Sequence, residues 1–289
     1  MPDALPATAA TAADLRLAVQ HARARNLSVG LVPTMGALHE GHVHLVEVCK
    51  READFVVVSI FVNPTQFGPA EDYSRYPRTM AADLDACRRG GASLVFAPAV
   101  EAMYPTGTLG TYVEVPGLAD ILEGASRPGH FRGVATVVLK LLNLVGPDVA
   151  HFGEKDYQQL ALIRRAVIDL DVPTRIVGVE TVREPDGLAM SSRNRYLDGP
   201  HRAAATVLSR SLILAREAVR GGETSADRVR QILRSAVESE HLASLDYAEV
   251  ADAATLEPLA TLQAGRPARA LLAARVGPTR LIDNAPLGL

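Results

Sequence analysis

The run Phe55-Val56-Val57-Val58-Ser59-Ile60-Phe61-Val62 is β-branched and aromatic, and apolar on both faces. Such a strand has no side to give to water, so it belongs in the middle of a parallel sheet covered by helices on each side. The segments around it alternate accordingly. Leu15–Arg25 has helical apolar spacing and leads into a strand at Val29–Pro33, and a helix follows from about Gly41 to Glu52. Beyond the central run come a helix near Met80–Arg89, a strand at Ser93–Phe96, a helix at Gly133–Val145 and a strand at Val149–Phe152. A helix at Tyr157–Asp169 and a strand at Arg175–Val179 complete the series. Strands alternating with helices imply right-handed crossovers and an α/β, doubly wound parallel sheet.

After about Val182 the pattern changes. Helical stretches at His201–Val219 and Ser225–Ser239 precede strand-like segments at Asp246–Val250, Ala270–Ala274 and Thr279–Ile282. That order predicts a smaller C-terminal α+β domain, so residues 1–181 and 182–289 are expected to form separate domains, joined at or near the Arg183–Gly187 turn. A length of 289 residues accommodates both.

Composition narrows the function. Thirty basic and thirty-three acidic residues give a formal charge of −3, with no global field for gripping nucleic acid or an anionic membrane. No apolar run reaches the roughly 18 residues of a membrane span, and the first thirteen residues lack a charged signal-peptide head. Cys49 and Cys87 form no CxxC pair and read as buried thiols of a reducing compartment. A cytoplasmic protein with small-molecule partners is expected.

Ligands of open α/β sheets bind at the carboxyl ends of the strands. Neither GxxxxGK[ST] nor GxGxxG occurs, which argues against a P-loop ATPase or a standard dinucleotide enzyme. The first strand runs instead into Pro33-Thr34-Met35-Gly36-Ala37-Leu38-His39-Glu40-Gly41-His42. His39 and His42 share a face of a nascent helix whose N-terminus attracts anions. This loop reads either as a nucleotide site or as a metal or plain polar loop using His39, Glu40, His42 and His44. Asn63-Pro64-Thr65-Gln66 follows the central strand and offers amides suited to a hydroxyl or carboxylate, although Asn-Pro is also an ordinary turn starter. Gly153-Glu154-Lys155-Asp156 carries one of only three lysines at a helix start, where either an anionic ligand or a neighbouring acid would compensate it. Met190-Ser191-Ser192-Arg193-Asn194 can hold phosphate oxygens.

Taken together and in order, these segments resemble the pantoate–β-alanine ligase (pantothenate synthetase) family, of the nucleotidylyltransferase superfamily related to class I aminoacyl-tRNA synthetases. Tyr76-Pro77-Arg78-Thr79, Ser126-Arg127-Pro128-Gly129-His130-Phe131-Arg132-Gly133 and Thr279-Arg280-Leu281-Ile282-Asp283-Asn284 extend the likeness, whereas about His201 to Leu262 carries no matching motif. The resemblance implies a Rossmann-like first domain that binds ATP and pantoate, and a second domain that closes over ATP. It implies ATP as co-substrate with Mg²⁺, and adenylation of pantoate followed by attack of the β-alanine amine. His39, His42, Lys155, Ser191, Ser192 and Arg193 would carry the chemistry. ATP would lie on Met35, Gly36, Ala37, Leu38, His39, Glu40, Gly41, His42, Gly153, Glu154, Lys155, Asp156, Val182, Met190, Ser191, Ser192 and Arg193. Pantoate and β-alanine would meet Asn63, Gln66, Tyr76, His130 and Gln159. No metal-ligand set is assigned, Asp83 being one candidate outer contact of Mg²⁺; a homodimer is expected. A phosphate-accepting adenylyltransferase would need a further cationic clamp in place of Asn63, Gln66 and Gln159. A non-catalytic nucleotide sensor would have no use for both histidines and the lysine, and a fragment acting on tRNA conflicts with the acidic balance.

Overall fold

The computed structural model describes residues 4–69, 71–107 and 110–288. By its contacts the chain divides into two units, Met1–Glu154 with Leu162–Glu180, and Lys155–Ala161 with Thr181–Leu289.

The first unit contains strands β1 (Ala7–Ala9), β2 (Val29–Thr34), β3 (Phe55–Ile60), β4 (Leu94–Phe96), β5 (Val149–Gly153) and β6 (Arg175–Val179). They form one parallel sheet in the order β1-β4-β3-β2-β5-β6. Its helices are α1 (Ala12–Ala24), α2 (Glu40–Glu52), α3 (Met80–Gly90), α4 (Val100–Met103), α5 (Glu123–Ser126), α6 (His130–Val145) and most of α7 (Tyr157–Asp169). Val56, Val57 and Val58 are all 0% exposed, which is the two-sided burial that the central run demanded. On one face Val56, Val58, Val32 and Val95 pack with Val46, Cys49 and Cys87 of α2 and α3. From β2 the chain winds one way through β3 and β4, then returns to add β5 and β6 on the other side. The switch point between β2 and β5 is where such sheets open a crevice.

The second unit holds α8 (Gly199–Ala204), α9 (Val207–Arg220), α10 (Ala226–Glu238) and an antiparallel sheet of β7 (Ala243–Asp252), β8 (Ala268–Val276) and β9 (Thr279–Leu287). Leu208, Leu212, Val229, Leu233, Leu272 and Ala274 are core members there. The single helix expected over His201–Val219 is two. The Thr206 hydroxyl donates to Ala203 O at 2.8 Å, and the Thr206 and Leu208 amides make tighter i→i+3 bonds, so the ladder is interrupted at Ala205–Thr206.

Lys155–Ala161, assigned to the first domain by sequence order, belongs with the second unit. Asn284 Nδ2 donates to Lys155 O at 2.9 Å, Tyr157 Oη donates to Ala253 O at 2.9 Å, and the Arg269 guanidinium lies 3.6 Å from the Tyr157 ring centre. The chain passes into the second unit at Glu180–Thr181, close to the Arg183–Gly187 turn, which itself belongs to the second unit. Arg183 makes a two-pronged bond to buried Asp283 at 2.7 and 2.9 Å, and Arg202 binds Glu184 and Asp186, each at 2.6 Å. A turn held at both ends in this way is a poor hinge.

Candidate functional site

In the first unit the loop after β2 turns through two left-handed residues, Gly36 (φ +82°) and Ala37 (φ +52°). Glycine suits the first, because a Cβ there would sit 3.1 Å from both Asp83 and Ile60. Consecutive amides in such a turn form an anion nest. Here the anion is internal: Asp83, 2% exposed, accepts from Ala37 N at 3.2 Å, Leu38 N at 2.8 Å and the Thr79 hydroxyl at 3.1 Å. The Ala37 and Leu38 amides therefore face Asp83, and its carboxylate, spent on the loop, is a poor outer ligand for Mg²⁺.

His39 caps α2 and His42 follows in its first turn. Their rings lie 4.1 Å apart, and His39 N–H donates to His42 Nδ1 at 3.3 Å. A backbone N–H can only donate, so the proton of a neutral His42 ring sits on Nε2. The amides of Glu40 and Gly41 bond to none of the described residues, as is usual in a first helical turn. The Glu40 side chain instead meets Arg89 at 2.8 Å, which holds its carboxyl below the ordinary carboxylate range. Among the described residues no three His, Cys, Asp or Glu side chains form a set that could hold a metal. Beside the loop, a crevice of about 280 Å³ opens at the ends of β2 and β3, lined by Met35, Gly36, Ile60, Phe61 and Val62 with Arg78. Of the residues expected to meet ATP, pantoate or β-alanine it takes in Met35 and Gly36, together with Asp83.

The turn after β3 is tied with a defined polarity. Asn63 is 1% exposed, and its Oδ1 accepts from Thr65 N at 3.3 Å, from the Thr65 hydroxyl at 2.9 Å and from Tyr104 Oη at 2.7 Å. Its Nδ2 donates to Gly133 O at 3.2 Å and to Gln66 Oε1 at 3.0 Å. Two backbone groups, the Thr65 N–H and the Gly133 carbonyl, fix which end is oxygen and which nitrogen. No donor or acceptor of Asn63 is left over for the substrate expected to meet it. Gln66 keeps Oε1 toward Asn63 and turns Nε2 away, where it bonds to none of the described residues. His130, at the start of α6, is also occupied at both nitrogens: Nε2 meets Arg127 Nη1 at 3.0 Å and Nδ1 meets Gln66 O at 2.8 Å. Burial, reinforced by the Arg127 charge, pushes its pKa down to about 4. Arg127 in turn forks onto Glu71 at 2.7 and 2.6 Å. Tyr76 is buried edge-on to Phe67, with ring centres 5.8 Å apart. Arg127, Glu71 and Tyr104 were not singled out from sequence; the spacing of Arg127 three residues before His130 was the one signal available.

In the second unit, Lys155 sits in a 3₁₀ turn (Glu154–Asp156) that runs straight into α7. Its ammonium is 3.6 Å from Asp156, so the local acid expected as an alternative is present, at long range. Gln159 is half-buried, and its amide bonds to none of the described residues. Met190 N donates to Val182 O at 3.0 Å, which closes the loop that leads to Ser191. Ser191 Oγ accepts from Arg193 N at 3.3 Å, and Asn194 Nδ2 anchors the segment to Glu184 at 2.8 Å and to Ala189 O at 3.1 Å. Ser192 and Arg193 are half-buried.

A family model described as pantoate-beta-alanine ligase matches residues 7–286. Proteins named pantothenate synthetase are 52% identical over 278 residues in Pelotomaculum thermopropionicum (96% of this chain, 98% of the relative) and 54% over 291 residues in a Nocardioides species (98% and 86%). The crystal structure of pantothenate synthetase from Thermus thermophilus superposes with a TM-score of 0.90 at 48% identity, covering 96% of this chain and 98% of that one. A Francisella tularensis pantoate-beta-alanine ligase, solved with β-γ ATP and β-alanine, gives 0.78 at 35% identity and covers 97% of each chain.

Proposed function

The chain belongs to the pantoate–β-alanine ligase family, and on that premise we propose how its own residues carry the reaction. It condenses (R)-pantoate with β-alanine to pantothenate through a pantoyl-adenylate, and releases AMP and pyrophosphate. A carboxylate is a poor acyl donor until one of its oxygens joins a good leaving group, which AMP provides. The protein's task is to neutralise charge at the α-phosphate as the pantoate oxygen attacks it, an electrostatic contribution of several kcal/mol.

His42 Nε2–H is the donor this reading places first, with His39 beside it and the amides of Glu40 and Gly41 at the positive end of α2. Lys155, Ser191, Ser192 and Arg193 are assigned the remaining phosphate oxygens. Met35, Gly36 and the backbone of Gly153–Asp156, Val182 and Met190 are assigned to the rest of the nucleotide; Ala37 and Leu38 contribute by shape, their amides being taken by Asp83. Gln66 and Gln159 are assigned to pantoate. Because Gln66 points a donor outward, it suits a carboxylate or hydroxyl oxygen and disfavours a substrate that offers only N–H groups there. Asn63 and His130 serve by holding Gln66, and Tyr76 by packing on the same loop. Mg²⁺ enters as the complex of ATP, part of the substrate, since the described side chains supply no set of their own. A cytoplasmic homodimer is proposed with this reading; light scattering on the purified protein checks the assembly.

The observation that carries the assignment is the tautomer of His42, whose Nδ1 accepts from His39 N–H so that the proton of the neutral ring is on Nε2, the nitrogen a phosphate oxygen would meet. The test is a product assay with ATP, Mg²⁺ and pantoate, with and without β-alanine, on the wild type and His42→Ala. AMP and pantothenate should form only with all components, and the variant should lose adenylation by about a hundredfold or more. Full activity of His42→Ala would remove the assignment.

A further inference from the structure

His130 looks at first like a substrate ligand, yet both ring nitrogens are engaged inside the protein. The partners decide its chemical state. Arg127 Nη1 can only donate, so Nε2 carries no proton; the Gln66 carbonyl can only accept, so the proton is on Nδ1. A second proton on Nε2 would point at the guanidinium, and Glu71, which neutralises that guanidinium, lies on its far side. The ring is therefore a neutral spacer of fixed tautomer between an ion pair and one backbone carbonyl.

That carbonyl belongs to Gln66. The turn carrying it is pressed onto the first turn of α6, where a Cβ on Gly133 would come within 2.3 Å of Thr65 O and 2.7 Å of Gln66 Cα. Asn63 orients the Gln66 side chain and His130 secures its backbone, so the two act on the same donor from opposite ends. We propose that His130 is a positioning residue: through Nδ1–H it holds the Gln66 carbonyl so that Gln66 Nε2 meets pantoate at hydrogen-bond distance, with the Glu71–Arg127 pair as its backing. The proposal rests on the assignment of Gln66 to pantoate.

Two conservative variants separate this role from a merely structural one. In His130→Asn the amide nitrogen can occupy the place of Nδ1 and keep the bond to Gln66 O while losing Arg127. In His130→Gln the longer amide can meet Arg127 but not Gln66 O. Steady-state kinetics should give Asn a KM for pantoate within about twofold of wild type and Gln a KM raised about tenfold, the size of one well-placed hydrogen bond. KM for ATP should be unchanged in both, and Gln66→Leu added to His130→Gln should raise the pantoate KM little further. A wild-type pantoate KM in His130→Gln, or parallel losses for ATP and pantoate in both variants, would overturn the proposal while leaving Gln66 its role. A Gln66→Leu single variant with unchanged pantoate KM would instead remove the Gln66 assignment and the proposal together.

Discussion

His151 in β5 is a buried charge-capable group with no part in the proposed chemistry. It is 0% exposed, neither ring nitrogen has a hydrogen-bond partner among the described residues, and Glu52 of α2 approaches Nε2 to 3.7 Å with Arg175 of β6 behind it. Burial depresses its pKa, Glu52 opposes that and Arg175 adds to it, with a net downward shift. The unfolded chain therefore takes up this proton first, near the ordinary histidine value of about 6.5. Stability from the neutral ring is complete above that pH and is lost as pH falls toward the folded value, by at most about 1.4 kcal/mol per pH unit. Urea unfolding at pH 7.5 and 5.5 should show a smaller acid loss in His151→Leu than in wild type; equal losses would mean that the ring does not titrate with folding. Lys155 makes a different prediction. Its long contact with Asp156 leaves its charge available to a phosphate, so Lys155→Ala should slow pyrophosphate release about a hundredfold with a smaller change in KM for ATP. A raised KM at normal kcat would limit Lys155 to binding.

At the scale of elements, the joint between α6 and the Asn63–Gln66 turn concentrates several constraints at one glycine. Gly133→Ala would set a Cβ against Thr65 O and C, backbone atoms that have nowhere to move. Thermal unfolding should register a loss of about 2–3 kcal/mol, typical of overpacking, together with a raised pantoate KM. A variant as stable as wild type would mean that the joint is loose. This joint also marks how far the sequence could be read. β3 was legible because its burial on both faces leaves a two-sided apolar run, and α7 and β6 were legible from end to end. β1 was not: Ala7-Thr8-Ala9 has no apolar pattern and becomes a strand by pairing with β4 at the sheet edge. β8 extends beyond the expected Ala270–Ala274 because its flanking residues are ordered by two neighbouring strands rather than by their own pattern. Among the site residues, the types were visible but their directions were not. Asn63 reads as a ligand until Tyr104 and Gly133, 41 and 70 residues away, are found to consume it. Asp83 reads as a metal contact until the loop 45 residues before it closes on its carboxylate.

For the whole molecule, the feature that matters most is the placement of Lys155–Ala161, a short piece of the second unit inserted between two pieces of the first. It makes the chain cross from one unit to the other three times, after residues 154, 161 and 180. During synthesis this has a consequence in time. The last strand of the first sheet ends at Val179, whereas the Asn284 amide that bonds to Lys155 lies 129 residues downstream of it. At about 5–20 residues per second, the ribosome takes roughly 6–26 s to make that stretch. For most of that interval, once Val179 has been made, the nascent chain has the sequence of a complete six-stranded sheet but an unmatched Lys155 turn. Chains truncated shortly after residue 182 and freed from the ribosome should therefore be cut by trypsin at Lys155, while a chain that includes Asn284 resists there. The turn that supplies Lys155, the lysine proposed for the chemistry, would be among the last parts of the first 180 residues to become protease-resistant, so activity would be withheld until Asn284 has left the ribosome.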